Sequence, residues 1–229
     1  MDIENSVALV TGANRGLGRH FAAQLVQRGA KVYAAARNPE SIDLPGVIRV
    51  PLDVTDPEQI AQAAKIAHDV TFVVNNAGSS TGADLIGGDL DQIRLEMETH
   101  FFGTLQVTRA FAPVLEANGG GAFLNVLSVL SWLHPGALGG YVAAKAAGWG
   151  LTDAVRDQLA PRGITVSALH VGYMDTDMAA RIPADQKIDP AVVARLALDG
   201  VAAGLPEILA DDLSRTVKAG LSTALRPAA

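Results

Sequence analysis

The sequence predicts an α/β fold, a doubly wound parallel sheet of six to seven strands with helices on both faces. Three observations carry this. Apolar runs of strand length alternate with longer stretches of helical period, the pattern of parallel strands joined by crossover helices. Gly, at 23 copies, often falls at the turns between those runs. The chain has 229 residues, 49% hydrophobic and 18% charged, enough for one large core and unlike a disordered chain.

The elements follow in order. Val7 to Val10 is a short apolar run ending in a Gly-rich turn, after which Phe21, Leu25 and Val26 recur at helical spacing up to Gly29. Lys31 to Ala36 and Val47 to Leu52 are the next strands, and a helix is expected near Pro57 to Ala67. Thr71 to Val74 is β-branched and strand-like, and a long helical period runs from about Asp91 to Glu116. Ala122 to Leu127 reads as a buried strand, Gly140 to Leu159 as helix and Ile164 to Leu169 as strand. Thr176 to Pro190 reads as a loop or short helix. Pro206 to Asp212 is a short last strand, followed by a helix over Leu213 to Leu221 and a brief disordered end. No repeat, low-complexity tract or linker interrupts the pattern, so residues 1–229 are expected to form one domain. Right-handed crossovers would place a ligand at the carboxyl ends of the strands.

Composition excludes several classes of function. The formal net charge of -6 offers no general attraction for nucleic acid or an anionic membrane. The absence of Cys removes disulfides, thiolate metal sites and a Cys nucleophile, and fits a reducing compartment. The opening MDIENSVALVTG places acids before a short apolar run, unlike a signal peptide. No apolar stretch approaches the roughly 20 residues that span a bilayer. A cytoplasmic location and no metal are expected.

The turn after the first strand reads Thr11-Gly12-Ala13-Asn14-Arg15-Gly16-Leu17-Gly18. Glycines there allow a sharp turn and close approach of the backbone to a pyrophosphate, while the helix N-terminus offers unpaired N–H groups to the anion. The spacing is G-x-x-x-G-x-G, and its strand-turn-helix context separates it from an ordinary Gly-rich turn. Sites that select NAD usually place an acid at the end of the second strand, for the ribose 2′-hydroxyl. Here that strand ends Ala36-Arg37-Asn38, with a cation instead. Arg37, joined by Arg15 from the turn, suits a 2′-phosphate through charge-assisted hydrogen bonds, so NADP(H) is the expected cofactor.

Tyr141 and Lys145 stand four residues apart on one face of a predicted helix. A phenol has a pKa of about 10, too high for efficient proton exchange near neutrality, and a nearby cation is expected to lower it. Tyr141 then gives a proton to a carbonyl oxygen as hydride arrives at carbon, or takes it back, while Lys145 also holds the nicotinamide ribose. Ser128 ends the strand before this helix, where its hydroxyl fixes the substrate oxygen. Alone, each has a bland reading: Y-x-x-x-K is common in helices, and for Ser128 or Ser131 the alternative is simple strand-end hydrogen bonding.

Together these motifs resemble the short-chain dehydrogenase/reductase family over about residues 6 to 178. The resemblance rests on TGANRGLG at Thr11 to Gly18, LDVTD at Leu52 to Asp56, NNAG at Asn75 to Gly78, Ser128, and YVAAK at Tyr141 to Lys145. It implies a single-domain Rossmann fold with a cofactor surface of Gly12, Asn14, Arg15, Gly16, Leu17, Gly18, Arg37, Asp53, Val54, Asn75, Ala77, Gly78, Tyr141, Lys145, Gly172 and Thr176. Asp53 is implied to contact the adenine, and Thr176 the nicotinamide carboxamide. Without the resemblance, Asp53 reads as a helix-start acid and NNAG as a turn. Two positions depart from the family pattern. His100 stands where the family usually has an Asn that holds a water of a proton relay to the lysine. An imidazole, with a pKa near 6.5, is a candidate to exchange that proton itself; a packing role is the alternative. Val171-Gly172 replaces the usual Pro-Gly, and neighbouring His170 reads as structural.

The substrate mouth is expected near Ser79 to Asp84, Leu130 to Leu138 and Tyr173 to Arg181, with Trp132, Leu133, Leu138, Tyr173 and Met174 as an apolar lining and His134 as a donor. The expected function is NADP(H)-dependent transfer of a hydride between the nicotinamide and a carbonyl or alcohol carbon of a small, partly apolar substrate, as a carbonyl reductase. The alternative is a catalytically silent NADP(H)-binding sensor or interaction protein on the same fold. Intact Ser128, Tyr141 and Lys145 weigh against it. The long helices at about 91–116 and 140–160 are the pair the resemblance assigns to a homodimer, with a tetramer as a further possibility.

Overall fold

The computed structural model describes residues 1–224, so the chain end expected to be disordered lies outside the described residues beyond that point. Its strands are β1 (Val7–Thr11), β2 (Lys31–Ala36), β3 (Val47–Pro51), β4 (Phe72–Asn75), β5 (Gly121–Val126), β6 (Ile164–His170) and β7 (Glu207–Leu209). They form one sheet in the order β3-β2-β1-β4-β5-β6-β7, every pairing parallel. The order reverses between β1 and β4, which opens the crevice where such sheets take a ligand.

The helices are α1 (Gly16–Gln27), α2 (Pro57–Ile66), α3 (Leu90–Met97), α4 (Thr104–Ala117), α5 (Gly139–Leu159), α6 (Pro190–Ala202) and α7 (Asp212–Ala224). Alternate residues of each strand point to opposite faces, which divides the core in two. On one face Val10, Phe72 and Leu124 pack with Phe21 and Leu25 of α1 and Leu198 of α6. On the other, Leu9, Val73 and Phe123 pack with Ile60 of α2, Phe111 and Leu115 of α4 and Val155 of α5.

Two elements differ from the sequence expectation. The single helical period expected from Asp91 to Glu116 is broken into α3 and α4 by a π-helical segment, Glu98–Gly103, with His100 inside it. The wider turn adds a residue without ending the helix, and such insertions frequently mark functional sites. Helix α6 covers a stretch to which the sequence reading assigns no element, although Asp189 caps it by accepting from Ala191 N at 2.7 Å and Pro190 fills its first position. The 176–190 loop itself is held by a bridge between Met174 and Ile188 and an ion pair of Lys187 with Asp175 at 2.7 Å. None of the helices among the described residues is long and apolar enough to cross a membrane.

Candidate active site

The turn after β1 has the shape its glycines allow. Gly12 and Gly16 adopt φ of 66° and 52°, a left-handed conformation that costs a side-chain-bearing residue about 1–2 kcal/mol. At Gly18 a methyl group would overlap the carbonyl oxygen of Gly12, so α1 starts against the turn only because that position has no Cβ. Arg15 takes the residue before α1, and Leu17 is buried in the core. The turn is fixed to its neighbours by Ala13 N, which donates to Ala35 O at 2.9 Å, and by Thr11 and Asn76. Thr11 Oγ1 donates to Val74 O at 3.2 Å and accepts from the backbone N–H groups of Asn76 and Ala77, both at 2.9 Å. Asn76 Nδ2 in turn donates to Thr11 O at 2.9 Å and Gly12 O at 3.3 Å.

Asn75, expected on the cofactor surface, turns its side chain away from this turn. Its side chain points below the sheet into a buried polar chain, donating to Asn125 Oδ1 at 2.9 Å, with Asn125 Nδ2 donating to Thr152 Oγ1 at 3.0 Å. Thr11 and Asn76, which sequence reasoning passed over, hold the turn instead. The strand alternation carried the signal: consecutive asparagines at the end of a strand face opposite ways.

The remaining cofactor candidates spread along the same edge. Thr176 comes to the turn, its methyl 3.5 Å from the place a Gly16 Cβ would occupy. Beside it, exposed Arg15 Nη1 lies 3.2 Å from Asp177 Oδ2, so Arg15 is paired across the crevice mouth. Arg37 is exposed just after β2. Asp53 Oδ1 accepts from Thr55 N at 3.0 Å and Thr55 Oγ1 at 2.8 Å, while the start of α2 is capped by Asp56. Val54 packs on Gly103, whose absent Cβ would lie 2.9 Å from Val54 O. Gly172 N donates to Asp211 Oδ2 at 2.5 Å, which ties the loop after β6 to the segment before α7.

The three catalytic candidates converge beyond the ends of β4 to β6. Ser128 is buried, its Oγ accepting from Leu130 N at 3.1 Å and donating to Val171 O at 3.3 Å. Lys145 is 5% exposed, with Nζ donating to Val126 O at 2.8 Å and lying 5.5 Å from the centre of the Tyr141 ring. Burial pushes the Lys145 ammonium down to about 7. Tyr141 departs from the expectation of a lowered pKa. Burial holds its phenol well above the usual range, the Ser128 hydroxyl partly offsets this, and the charge of Glu96 adds to it. Desolvation outweighs any pull from the lysine.

His100 reaches the same cluster. Its ring stands edge-on to Tyr141, centroids 5.2 Å apart, and packs against Gly78, where a Cβ would come within 2.7 Å. Nε2 lies 2.7 Å from Ser79 O and 3.3 Å from Ser79 N; the shorter contact is to a carbonyl that can only accept, which places the ring proton on Nε2. Burial, with the Lys145 charge, pushes the imidazole down to about 3. The proton exchange expected of His100 near neutrality does not fit a ring held neutral in this way.

Of the residues expected to line the substrate mouth, Leu133 and Tyr173 are exposed, and so are Leu85, Ile86 and Met178 in or near the same stretches of chain. Trp132 is not in that lining. It is buried, stacked on His170 at 3.8 Å and edge-on to Trp149. His170 is fully buried, with Nδ1 donating to Ser128 O at 3.2 Å, so it supports the serine from behind. Met174 packs on the core, and His134 Nε2 lies 3.4 Å from Ser131 O.

Comparison with known proteins matches residues 6–187 to the short chain dehydrogenase family. The 3-oxoacyl-acyl-carrier-protein reductase FabG of Vibrio cholerae is 31% identical over 197 residues, 82% of this chain and 81% of that protein. A short chain dehydrogenase from Burkholderia cenocepacia, solved in complex with NADP, is 36% identical, with a TM-score of 0.92 over 99% of this chain and 100% of that one. A short chain dehydrogenase/reductase from Burkholderia phymatum, solved in complex with NAD, has a TM-score of 0.85 over 100% of this chain and 98% of that one. At 23% identity it shares the fold alone.

Proposed function

This chain belongs to the short chain dehydrogenase family and is an oxidoreductase, and on that premise we propose that it is an NADP(H)-dependent carbonyl reductase. The observation that carries the reading is the convergence of the Tyr141 phenol, in a half-buried tyrosine and hydrogen-bonded to Ser128, on buried Ser128 and Lys145. The cofactor, when bound, supplies the hydride or takes it up. The glycine turn fits such a group: positive φ at Gly12 and Gly16 and no Cβ at Gly18 leave backbone amides open to a pyrophosphate. Exposed Arg37 would meet a 2′-phosphate, and Arg15 would reach it by leaving Asp177. The NADP complex of the Burkholderia cenocepacia relative supports this choice over NAD.

The chain's own residues manage the substrate oxygen and its proton. Ser128 would hold the carbonyl oxygen, and Tyr141 would donate its proton as negative charge develops there. Lys145 gains its charge as the pH falls through about 7, and as a cation it would stabilise the tyrosinate left behind. Proton transfer in either direction is eased where the Lys145 cation offsets the desolvation that holds the phenol protonated. His100 would act as a neutral wall that sets the Tyr141 ring rather than as an acid. Exposed Leu85, Leu133, Tyr173 and Met178 suit a partly apolar ketone or aldehyde. A homodimer would form through α4 and α5, which border a mixed groove that includes Leu105, Arg109, Pro113, Gln158 and Arg162.

The test follows NADPH and NADH absorbance with aldehydes, ketones and diketones. Turnover with NADPH that is lost in Tyr141→Phe is expected. Equal turnover in that variant would remove Tyr141 as proton donor. Tight NADPH binding with no turnover on any compound would favour a silent binding protein.

A further inference from the structure

Helix α3 carries a carboxylate into the wall of this site. Glu96 is only 1% exposed. Its Oε1 accepts from Thr81 N at 2.7 Å and from Thr81 Oγ1 at 3.0 Å, and Thr81 Oγ1 accepts from Ala83 N at 3.2 Å. Glu96 Oε2 has no hydrogen-bond partner among the described residues. It faces Gly140, in the first turn of α5, where a methyl group would overlap it. Leu85 crowds Gly139 in the same way, so the loop that borders the substrate mouth lies directly on the two glycines preceding Tyr141. The N-terminal turn of α5 has no side-chain cap, and its partial positive charge faces the carboxylate.

A buried carboxylate with one oxygen unpartnered is a standing cost that a leucine would avoid. Natural proteins keep such groups where function uses them. We propose that Glu96 is a positioning residue for the reaction: it clamps the 79–84 loop onto the first turn of α5 and acts on proton transfer at Tyr141 through its charge. The inference rests on the reductase reading of Tyr141. Three groups lie against that phenol, Ser128 from the end of β5, His100 from the π segment and Lys145 from its own helix, while Glu96 of α3 lies against Gly140, the residue before Tyr141. His100 is neutral, and Glu96 is the one whose negative charge opposes ionisation.

Glu96→Gln separates clamp from charge, because its amide oxygen still accepts both Thr81 donors. Tyr141 ionisation is read in the cofactor-free protein by tyrosinate absorbance, each spectrum corrected with the matching Tyr141→Phe background. At the foot of the titration Glu96→Gln should show about tenfold more Tyr141 tyrosinate than wild type, as a shift of about one pH unit requires. The alkaline limb of kcat should move down with it at unchanged KM. Glu96→Asp keeps the charge but shortens the reach to Thr81, so it should raise KM severalfold while the Tyr141 titration stays near that of wild type. A Glu96→Gln titration that superimposes on wild type overturns the charge role, and an unchanged KM in Glu96→Asp overturns the clamp. Should Glu96→Gln fail to fold, Glu96→Asp alone decides the clamp, and Glu96→Asn in the titration decides the charge. The titration needs no substrate, so absence of turnover with every carbonyl would end the reductase reading and leave the Glu96 result standing.

Discussion

The imidazole of His100 meets the ring of Tyr141 edge-on, at 5.2 Å and 85° between planes, with its one proton committed to Ser79 O. A ring so placed restricts the phenol without exchanging protons with it. His100→Asn should therefore lower kcat a few-fold, by loosening Tyr141, and leave the shape of the pH profile as it was. Steady-state rates between pH 5.5 and 10 read this directly. A new or displaced limb in the variant would restore His100 to the proton path.

Cofactor choice rests on two cations that the structure treats differently. Arg37→Ala should weaken NADPH about 10- to 100-fold and leave NADH unaffected, the difference expected of charge-assisted bonds worth about 1.5–3 kcal/mol. Asp177→Ala removes the exposed partner of Arg15, a pair worth about 0–1 kcal/mol, and should tighten NADPH by about two- to fivefold. Fluorescence titration of both cofactors distinguishes the cases. Equal weakening of NADPH and NADH by Arg37→Ala would mean that it does not read the 2′-phosphate.

Neighbouring asparagines should separate stability from binding. Asn76→Ala removes two hydrogen bonds to the carbonyls of Thr11 and Gly12, a loss of about 1–3 kcal/mol in urea unfolding, and should weaken NADPH by releasing the turn. Asn75→Ala breaks the buried bond to Asn125, and should cost similar stability with little change in NADPH affinity. If Asn75→Ala weakened NADPH as much as Asn76→Ala, the assignment of the two side chains to opposite sides of β4 would fail.

Strand and turn were legible in the sequence because each is a local property. Val7 to Val10, Lys31 to Ala36 and the glycines of the first turn announce themselves by apolar run and spacing, and the structure places β1, β2 and the turn there. The intervals among Ser128, Tyr141 and Lys145 likewise survive folding as a single cluster. What was hidden depends on contacts remote in sequence. The π segment leaves apolar periods intact on either side, so α3 and α4 read as one helix. Glu96 looks like any surface acid of an amphipathic helix until Thr81 and Gly140 close over it. The phenol's pKa was misjudged for the same reason. Spacing reveals the lysine, whereas burial, the larger effect, belongs to the tertiary fold.

Burial of two histidines makes acid the weak side of this protein. His100 and His170 are pushed down to about 3 and about 4, chiefly by desolvation, against about 6.5 in an unfolded chain. Between those values the unfolded state binds protons that the folded state refuses, so stability must fall as pH falls from about 6.5. Each histidine adds a slope of up to about 1.4 kcal/mol per pH unit, and neither contributes a slope above pH 7.5. Lys145 acts in a separate window with the same sign: held near 7 when folded and about 10.5 when unfolded, it makes stability rise from pH 7 toward 10.5. Urea unfolding of wild type and His100→Asn at pH 7.5 and 5.0 isolates one histidine, since the carboxylates common to both proteins cancel in the comparison. The variant should lose about 1–2 kcal/mol less than wild type over that interval. An equal loss would mean that His100 takes up its proton in the folded protein as readily as in the unfolded one, and the neutral wall beside Tyr141 would have to be given up.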